Sequence, residues 1–447
     1  MASGYRPSDS GGVSLVGTSG YAWSSAPYSA TSTSGSSLGF YSSYVGPESD
    51  KYRANGLPVR CVQLRNQDPH RLKPKKTNQQ PIISSIMKRH LFLWTALSIA
   101  SLTLTSVNAQ MRFVDGASLT LIGKAQPTPH IYHRIDTTAY KGFVGFENQQ
   151  VRCAAGLALL FTTDSPRLDI RTQYLFEHRS DDTPCISTGG YDLYIRQNGE
   201  WLYAASHVSY HRGEPFTLID HMDTSTKECL LYLPNYSELG KVEIGIAENA
   251  HIEPLENPFR HKIVVFGSSY THGVCTSRPG MSYPLIIQRD LGLDICSIAL
   301  SGNCLLQPYF AAYLADCTDA DAMLFDAFSN PLDYMIEERL LPFIERIRQG
   351  CPDVPLIFVQ TIYRESGNFD LHAREVEANK RAAARRMMAE AMKRFDKVYF
   401  IDCDDLTGDD HTTSVDGIHP SDLGYWRWAK RLEPELRKIL RRNGIRL

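Results

Sequence analysis

The sequence predicts a three-layer α/β domain, a doubly wound parallel sheet with helices on both faces, preceded by an all-β sandwich. Three observations carry this expectation. Between residues 111 and 256, short segments alternate polar with apolar side chains and are separated by Gly and Pro. After residue 262 the rhythm changes to short apolar runs divided by helix-length amphipathic stretches, the pattern of repeated βα units. At 447 residues and 43% hydrophobic content, the chain has enough apolar material for at least two cores.

Taken in chain order, residues 1–50 are rich in Ser, Gly and Tyr and poor in aliphatics, and residues 65–80 are polar and basic. Neither part can bury a core, so residues 1–86 are expected to be a foreign or low-complexity extension with no folded unit. Met87-Lys88-Arg89-His90 then precedes an apolar run from Leu91 to Leu104 and the segment Ser106-Val107-Asn108-Ala109. A basic start, a short apolar centre and small residues before the break predict a secretory signal over 87–109, cleaved after Ala109. That places the mature chain, beginning at Gln110, outside the cytoplasm or in the periplasm, and makes Met87 a candidate true start. The run is short for a bilayer and no second one follows, so no transmembrane segment is expected in the mature chain.

The sandwich is expected over 110–256. Arg167–Arg171, Tyr191–Arg196 and Val242–Ile246 alternate as half-buried strands, and Gly199, Gly213, Pro215, Pro234 and Gly240 mark turns. Residues 257–261 read as a linker into the α/β domain, 262–447. There Lys262–Phe266, Asp294–Ile298, Ala322–Phe325, Leu356–Val359 and Val398–Ile401 suit central parallel strands buried on both faces. Helices are expected near Tyr283–Leu291, Tyr334–Gln349, Leu371–Phe395 and Asp422–Arg442.

A net charge of −2 gives no footprint for nucleic acid or an anionic membrane surface. The ten cysteines show no CxxC pair and no Cys/His spacing of the kind zinc needs; they read as buried small hydrophobes, and no bridge is predicted. His411 with Asp409 and Asp410 reads as a polar loop, not a metal cluster. The basic residues of 380–386 and 437–446 read as solvated helix faces. Tyr174, Trp201, Tyr203 and Tyr210 suit either a core or stacking on sugar rings.

Two short segments carry chemistry. Gly267-Ser268-Ser269-Tyr270-Thr271-His272-Gly273 follows the first α/β strand, where the chain must turn sharply and backbone N–H groups are free to meet an oxyanion. Asp416-Gly417-Ile418-His419-Pro420 lies just before the last helix; an Asp and a His three apart on one loop can serve one serine as orienter and base. The competing reading of the second segment is a helix cap supplied by Asp416 or Ser421. His272, on the nucleophile's own turn, is badly placed to take its proton and reads as pocket lining or surface.

These segments occur in the order of the SGNH (GDSL-type) hydrolase family, which residues 262–430 resemble. The resemblance implies Ser269 as nucleophile, aligned by Gly267-Ser268-Ser269-Tyr270, with Asp416 and His419 completing a triad. It implies an oxyanion hole from the Ser269 and Gly302 N–H groups, Gly302 lying in Ser301-Gly302-Asn303, and from the Asn330 amide in Asp326-Ala327-Phe328-Ser329-Asn330-Pro331. Two departures stand out: Ser268 occupies the family's usual aspartate position, and Ser329 precedes Asn330 where glycine two places before is common, which leaves Asn303 as a rival. Gly190-Tyr191-Asp192-Leu193-Tyr194 resembles the Gly-x-Asp-Leu-Tyr motif of a sandwich domain that precedes SGNH esterases in bacterial, largely Bacteroidetes, proteins, and Cys275–Met281 is similar to that group's extended first block. Residues 1–62 resemble a fragment of a lectin-like surface module. The layout resembles that of carbohydrate esterases removing acetyl groups, which implies a secreted short-chain esterase without cofactor or metal. Alternatives are a lipid or lysophospholipid esterase, and a carbohydrate-binding protein with an inactive site.

Overall fold

The computed structural model describes residues 19–23, 34–41, 45–52, 110–209 and 213–447. The first three segments are strands β1 (Ser19–Trp23), β2 (Ser34–Tyr41) and β3 (Val45–Tyr52), paired antiparallel in the order β1-β2-β3. They belong to a compact unit, Met1–Thr103, separate from Leu104–Leu447. They fall in the stretch expected to hold no folded unit; a strand ladder is made of main-chain hydrogen bonds, which Ser- and Gly-rich sequence can form without an apolar core. The signal segment expected over 87–109 lies outside the described residues, as does Tyr210.

The second unit opens with the sandwich. Its strands are β4 (Met111–Asp115), β5 (Thr120–Ile122), β6 (Ala158–Thr163), β7 (Leu168–Glu177), β8 (Tyr191–Gln197), β9 (Glu200–His207), β10 (Phe216–Ile219), β11 (Lys227–Tyr232), β12 (Ser237–Ala247) and β13 (Ile252–Pro254). Two short helices, α1 (Phe146–Gln150) and α2 (Cys185–Gly189), interrupt them. One sheet runs β10-β7-β12-β4 and the other β13-β6-β11-β8-β9, with β5 on β6. Leu159, Phe161, Ile170, Leu193, Leu231 and Ile244 fill the space between the sheets. The three strands expected from alternation are β7, β8 and β12.

Side chains on successive strand residues point to opposite faces, and the second sheet uses both. Leu159, Phe161 and Leu231 enter the sandwich core, whereas Leu160, Leu230, Tyr194 and Tyr232 join a core with Ile263, Val265, Tyr283 and Trp428 of the α/β region. The expected linker is accordingly no loose tether. Phe259 is buried, and β14 begins at Arg260.

The α/β region has five parallel strands, β14 (Arg260–Gly267), β15 (Leu293–Ala299), β16 (Ala322–Asp326), β17 (Leu356–Val359) and β18 (Val398–Ile401), in the order β15-β14-β16-β17-β18. Its helices are α3 (Ser269–His272), α4 (Tyr283–Leu291), α5 (Pro308–Ala315), α6 (Asp333–Gly350), α7 (Leu371–Arg394) and α8 (Asp422–Arg442). Alternate strand residues divide between two cores. Val264, Phe266, Phe325 and Phe358 face α5, α6 and α7, while Ile263, Val265, Leu324 and Ile357 face α4, α8 and the sandwich. Strand order reverses between β14 and β16, and a crevice at such a point, outside the strands' carboxyl ends, is where open α/β sheets bind ligands.

Candidate active site

Sheet register brings the three loops together. Gly267, the last residue of β14, pairs with Ala299 of β15 on one side and Asp326 of β16 on the other. Ser269, Gly302 and Asn330 therefore follow three neighbouring strand ends. Close packing excludes any side chain at Gly267, because a Cβ there would stand 1.9 Å from Thr271 Oγ1. Ser268 caps the one-turn helix α3, its hydroxyl accepting the Tyr270 N–H at 3.2 Å, which puts Ser269 on the first helical residue.

Asp326, which the sequence reading assigned no role, anchors this turn. One carboxylate oxygen accepts from Ser268 Oγ at 2.7 Å, Ser268 N at 3.1 Å and Thr271 Oγ1 at 3.1 Å; the other accepts from Ser329 Oγ at 2.9 Å. Burial pushes its carboxyl up, and the hydrogen bonds from Ser268, Ser329 and Thr271 oppose that shift. Ser268, standing at the family's usual aspartate position, thus binds a carboxylate carried by the neighbouring strand.

The loop 414–420 brings the second motif to the serine. Ser269 Oγ lies 2.9 Å from His419 Nε2, and His419 Nδ1 lies 2.7 Å from Asp416 Oδ2. Asp416 Oδ1 also accepts the Ile418 N–H at 2.9 Å and the His419 N–H at 2.6 Å. Burial alone would raise the Asp416 carboxyl; its bonds from His419 and Ile418 outweigh that and hold it below the ordinary value. Asp416 is thus no helix cap, and Ser421, the N-cap residue of α8, makes no side-chain cap bond. Tyr270 meets the His419 ring edge-on at 5.6 Å and donates its hydroxyl to Ile418 O at 3.2 Å.

The other side chains expected at the site are held in distinct ways. Asn330 Oδ1 accepts the Cys304 N–H at 3.1 Å, which leaves its NH2 group without an acceptor among the described residues. The rival Asn303 is committed, donating to Ser301 O at 2.9 Å and Gln150 Oε1 at 3.3 Å. Gly302 is exposed, with φ at 70°. His272 is fully buried rather than at the surface: Nε2 lies 2.8 Å from Asn235 O, Nδ1 lies 3.2 Å from Ser301 Oγ, and the ring stacks on Tyr236 at 4.0 Å. Burial, with the Arg134 charge nearby, pushes its pKa well down, so it ties the nucleophile turn to the sandwich as a neutral ring.

Lys380 departs from the expected solvated face. It is buried beneath the Asn330 loop, donating to Ser329 O at 2.8 Å and Glu377 Oε1 at 2.8 Å. Arg364 joins it, donating to Ser329 O at 2.6 Å, Glu377 Oε1 at 2.9 Å and Tyr270 Oη at 2.9 Å. A buried ammonium is tolerable when carboxylate and carbonyl oxygens replace its water, and here they do. His411 lies 2.9 Å from Glu365, and Asp410 pairs with Arg427 at 2.7 Å.

The Gly-x-Asp-Leu-Tyr motif also acquires a physical meaning. Tyr191 and Leu193 enter the sandwich core, while the fully buried Asp192 accepts from Arg278 Nε at 3.1 Å and Gly280 N at 2.9 Å. Tyr194 packs under Arg289, 4.1 Å from the guanidinium carbon, and accepts from Arg278 at 3.1 Å. Gly190 is required because a Cβ would lie 2.5 Å from His207 O and 2.6 Å from Ile186 O. The motif therefore grips the segment that follows the nucleophile. The nine described cysteines are all free. A cavity of about 500 Å3 lined by Tyr363, Arg364, Arg374 and His411 contains none of Ser269, Asp416 and His419.

Comparison with known proteins agrees with this fold. The profile of the GDSL-like lipase/acylhydrolase family matches residues 260–437, and the GxDLY profile, the N-terminus of SGNH hydrolase-type esterases, matches 111–252. A solved structure from Bacteroides ovatus, described as a GDSL-like lipase, is 38% identical with a TM-score of 0.72; the match covers 74% of this chain and 98% of that one. A salicylyl-acyltransferase, SsfX3, from a tetracycline biosynthetic pathway shares the fold at 19% identity and a TM-score of 0.54, over 74% of this chain and 97% of its own. No curated protein matches. The fold and its profiles define a carboxylic ester hydrolase. The chain belongs to the GDSL-like lipase/acylhydrolase family.

Proposed function

We propose that this protein is a secreted serine esterase that removes short acyl groups, acetyl foremost, from carbohydrate through an acyl-enzyme. The single observation that carries the reading is the imidazole of His419 standing between Ser269 Oγ at 2.9 Å and Asp416 Oδ2 at 2.7 Å. His419 Nε2 takes the proton as Ser269 Oγ attacks the ester carbonyl, and Asp416 accepts the Nδ1–H, fixing the tautomer and supporting the imidazolium. The N–H groups of Ser269 and Gly302 and the Asn330 amide receive the oxyanion. His419 returns the proton to the departing alcohol, and a water molecule then releases the acyl group by the same route.

The layout, which resembles that of acetyl-removing carbohydrate esterases, points to the alcohol side, and the segment 87–109 to export. Among the described residues no helix is long and apolar enough to cross a membrane. The test is hydrolysis of p-nitrophenyl esters from acetyl to decanoyl, and of acetylated xylan, mannan and pectin fragments. Ser269→Ala is expected to abolish turnover with an unchanged melting temperature. His419→Ala should lose more than Asp416→Asn, whose orienting role is shared with backbone contacts. Full activity of Ser269→Ala, or a preference for decanoyl esters, would overturn the reading.

A further inference from the structure

Beside the triad stand two donors that the esterase mechanism leaves unused, Asp182 and Cys275, and they form a mixed set with Asp416 and His419. One donor atom each from Asp182, Cys275, Asp416 and His419 lie within 4.8 Å of one another. Asp182 comes from the sandwich, in the loop between β7 and α2, whereas Cys275 follows the nucleophile turn. Thr183 joins the two segments, its hydroxyl accepting the Cys275 N–H at 3.0 Å and donating to Asp182 Oδ1 at 2.9 Å. Cys275 is 6% exposed and free, and among the described residues its thiol has no hydrogen-bond partner, although most of the other buried thiols reach a carbonyl oxygen. Burial, with the charges of Asp182 and Asp416, pushes this thiol up.

We propose that Asp182, Cys275, Asp416 and His419 form an inhibitory site for a thiophilic divalent cation, zinc above all, whose binding switches the triad off. The inference rests on the triad reading given above. A thiol, an imidazole and two carboxylates make a borderline-soft set suited to zinc and poorly suited to magnesium or calcium. Tetrahedral zinc, with bonds of about 2.0 to 2.3 Å, brings its ligands to within roughly 3.3 to 3.8 Å of each other, so the pairs must close by at most about 1 to 1.5 Å. The step balances simply: zinc bonds to sulfur, and the thiol proton leaves to solvent. Zinc also engages a ring nitrogen of His419. At Nε2 it occupies the lone pair that would receive the serine proton; at Nδ1 it moves the ring hydrogen to Nε2. Either way the ring ceases to be a base, and Asp416 is drawn from orienter to ligand.

Two readouts test the site apart from the esterase reading. Cobalt(II) added to the Ser269→Ala protein is expected to give a thiolate-to-metal charge-transfer band at one equivalent, and the band should vanish when Cys275→Ala is added. In the unsubstituted protein, zinc should cut p-nitrophenyl acetate hydrolysis at least tenfold, reversibly on chelation, while equal magnesium has no effect. Cys275→Ala and Asp182→Asn should each hydrolyse the ester normally and need at least tenfold more zinc for half-inhibition. Absence of the band overturns the site, and so does equal zinc sensitivity of Cys275→Ala and the unsubstituted protein. A band without inhibition overturns control of the triad. Failure of the metal-free protein to hydrolyse any ester would instead strike the esterase reading, leaving the cobalt spectrum to judge the site.

Discussion

Asn330 illustrates how one end of an amide can be fixed so that the other is aimed. Its carbonyl oxygen is held by the Cys304 N–H, and the residue before it is held through its carbonyl by Lys380 and Arg364. If the free NH2 group meets the developing oxyanion, Asn330→Ala should lower kcat by about 100- to 1,000-fold with little change in KM, the usual cost of one oxyanion donor. Asn303→Ala should cost far less; steady-state kinetics on p-nitrophenyl acetate decides between them. At this scale the sequence was most legible where chemistry is local. Asp416 and His419 sit three apart on one loop, so spacing alone suggested their partnership. Asp326 and Lys380 could not be read in the same way. A carboxylate at a strand end and a lysine in a basic helix acquire their roles only from partners on other elements, Ser268 for one and Ser329 for the other.

Among the elements, the five central strands were visible as short apolar runs because both their faces pack against apolar side chains, those of the edge strand β18 only in part. Helix α5, Pro-Tyr-Phe-Ala-Ala-Tyr-Leu-Ala, was not expected, since it is apolar almost all round and shows no helical stripe. Proline at its first position was the signal available. Strand β8 carries a titratable junction that weakens as pH rises. Burial raises the Asp192 carboxyl to about 6, against the neighbouring Arg278 and Arg289. The folded state therefore holds this proton more tightly than the unfolded chain, whose aspartate titrates near 4. The contribution to stability is fully present below about pH 4 and is lost as pH rises through about 6. Asp192→Asn, which cannot titrate, should flatten the fall in melting temperature between pH 4 and pH 6; an unchanged slope would show that another group governs it.

For the molecule as a whole, two regions were distinguished by their different rhythms, but a core shared between them was not expected. The sign lies in β6 and β11, where Ala158–Phe161 and Cys229–Tyr232 are continuous apolar runs whose residues face apolar partners on both sides. Fully burying a side chain such as Leu160 or Leu230 stabilises by about 1.5 to 3 kcal/mol. Residues 260–447 expressed alone would leave the matching surface of Ile263, Tyr283 and Trp428 open to water. That fragment is expected to aggregate, whereas 110–447 remains soluble and folded, as sedimentation and circular dichroism would show.

The doubly covered sheet also constrains how the protein can change over generations. A substitution at Tyr232, which donates to Gln288 of α4 at 2.7 Å, is felt on the helix that packs beneath the nucleophile turn. The catalytic half is therefore not a bead that can be restrung beside an unrelated neighbour: it must be inherited together with its sandwich, and the two must drift in step.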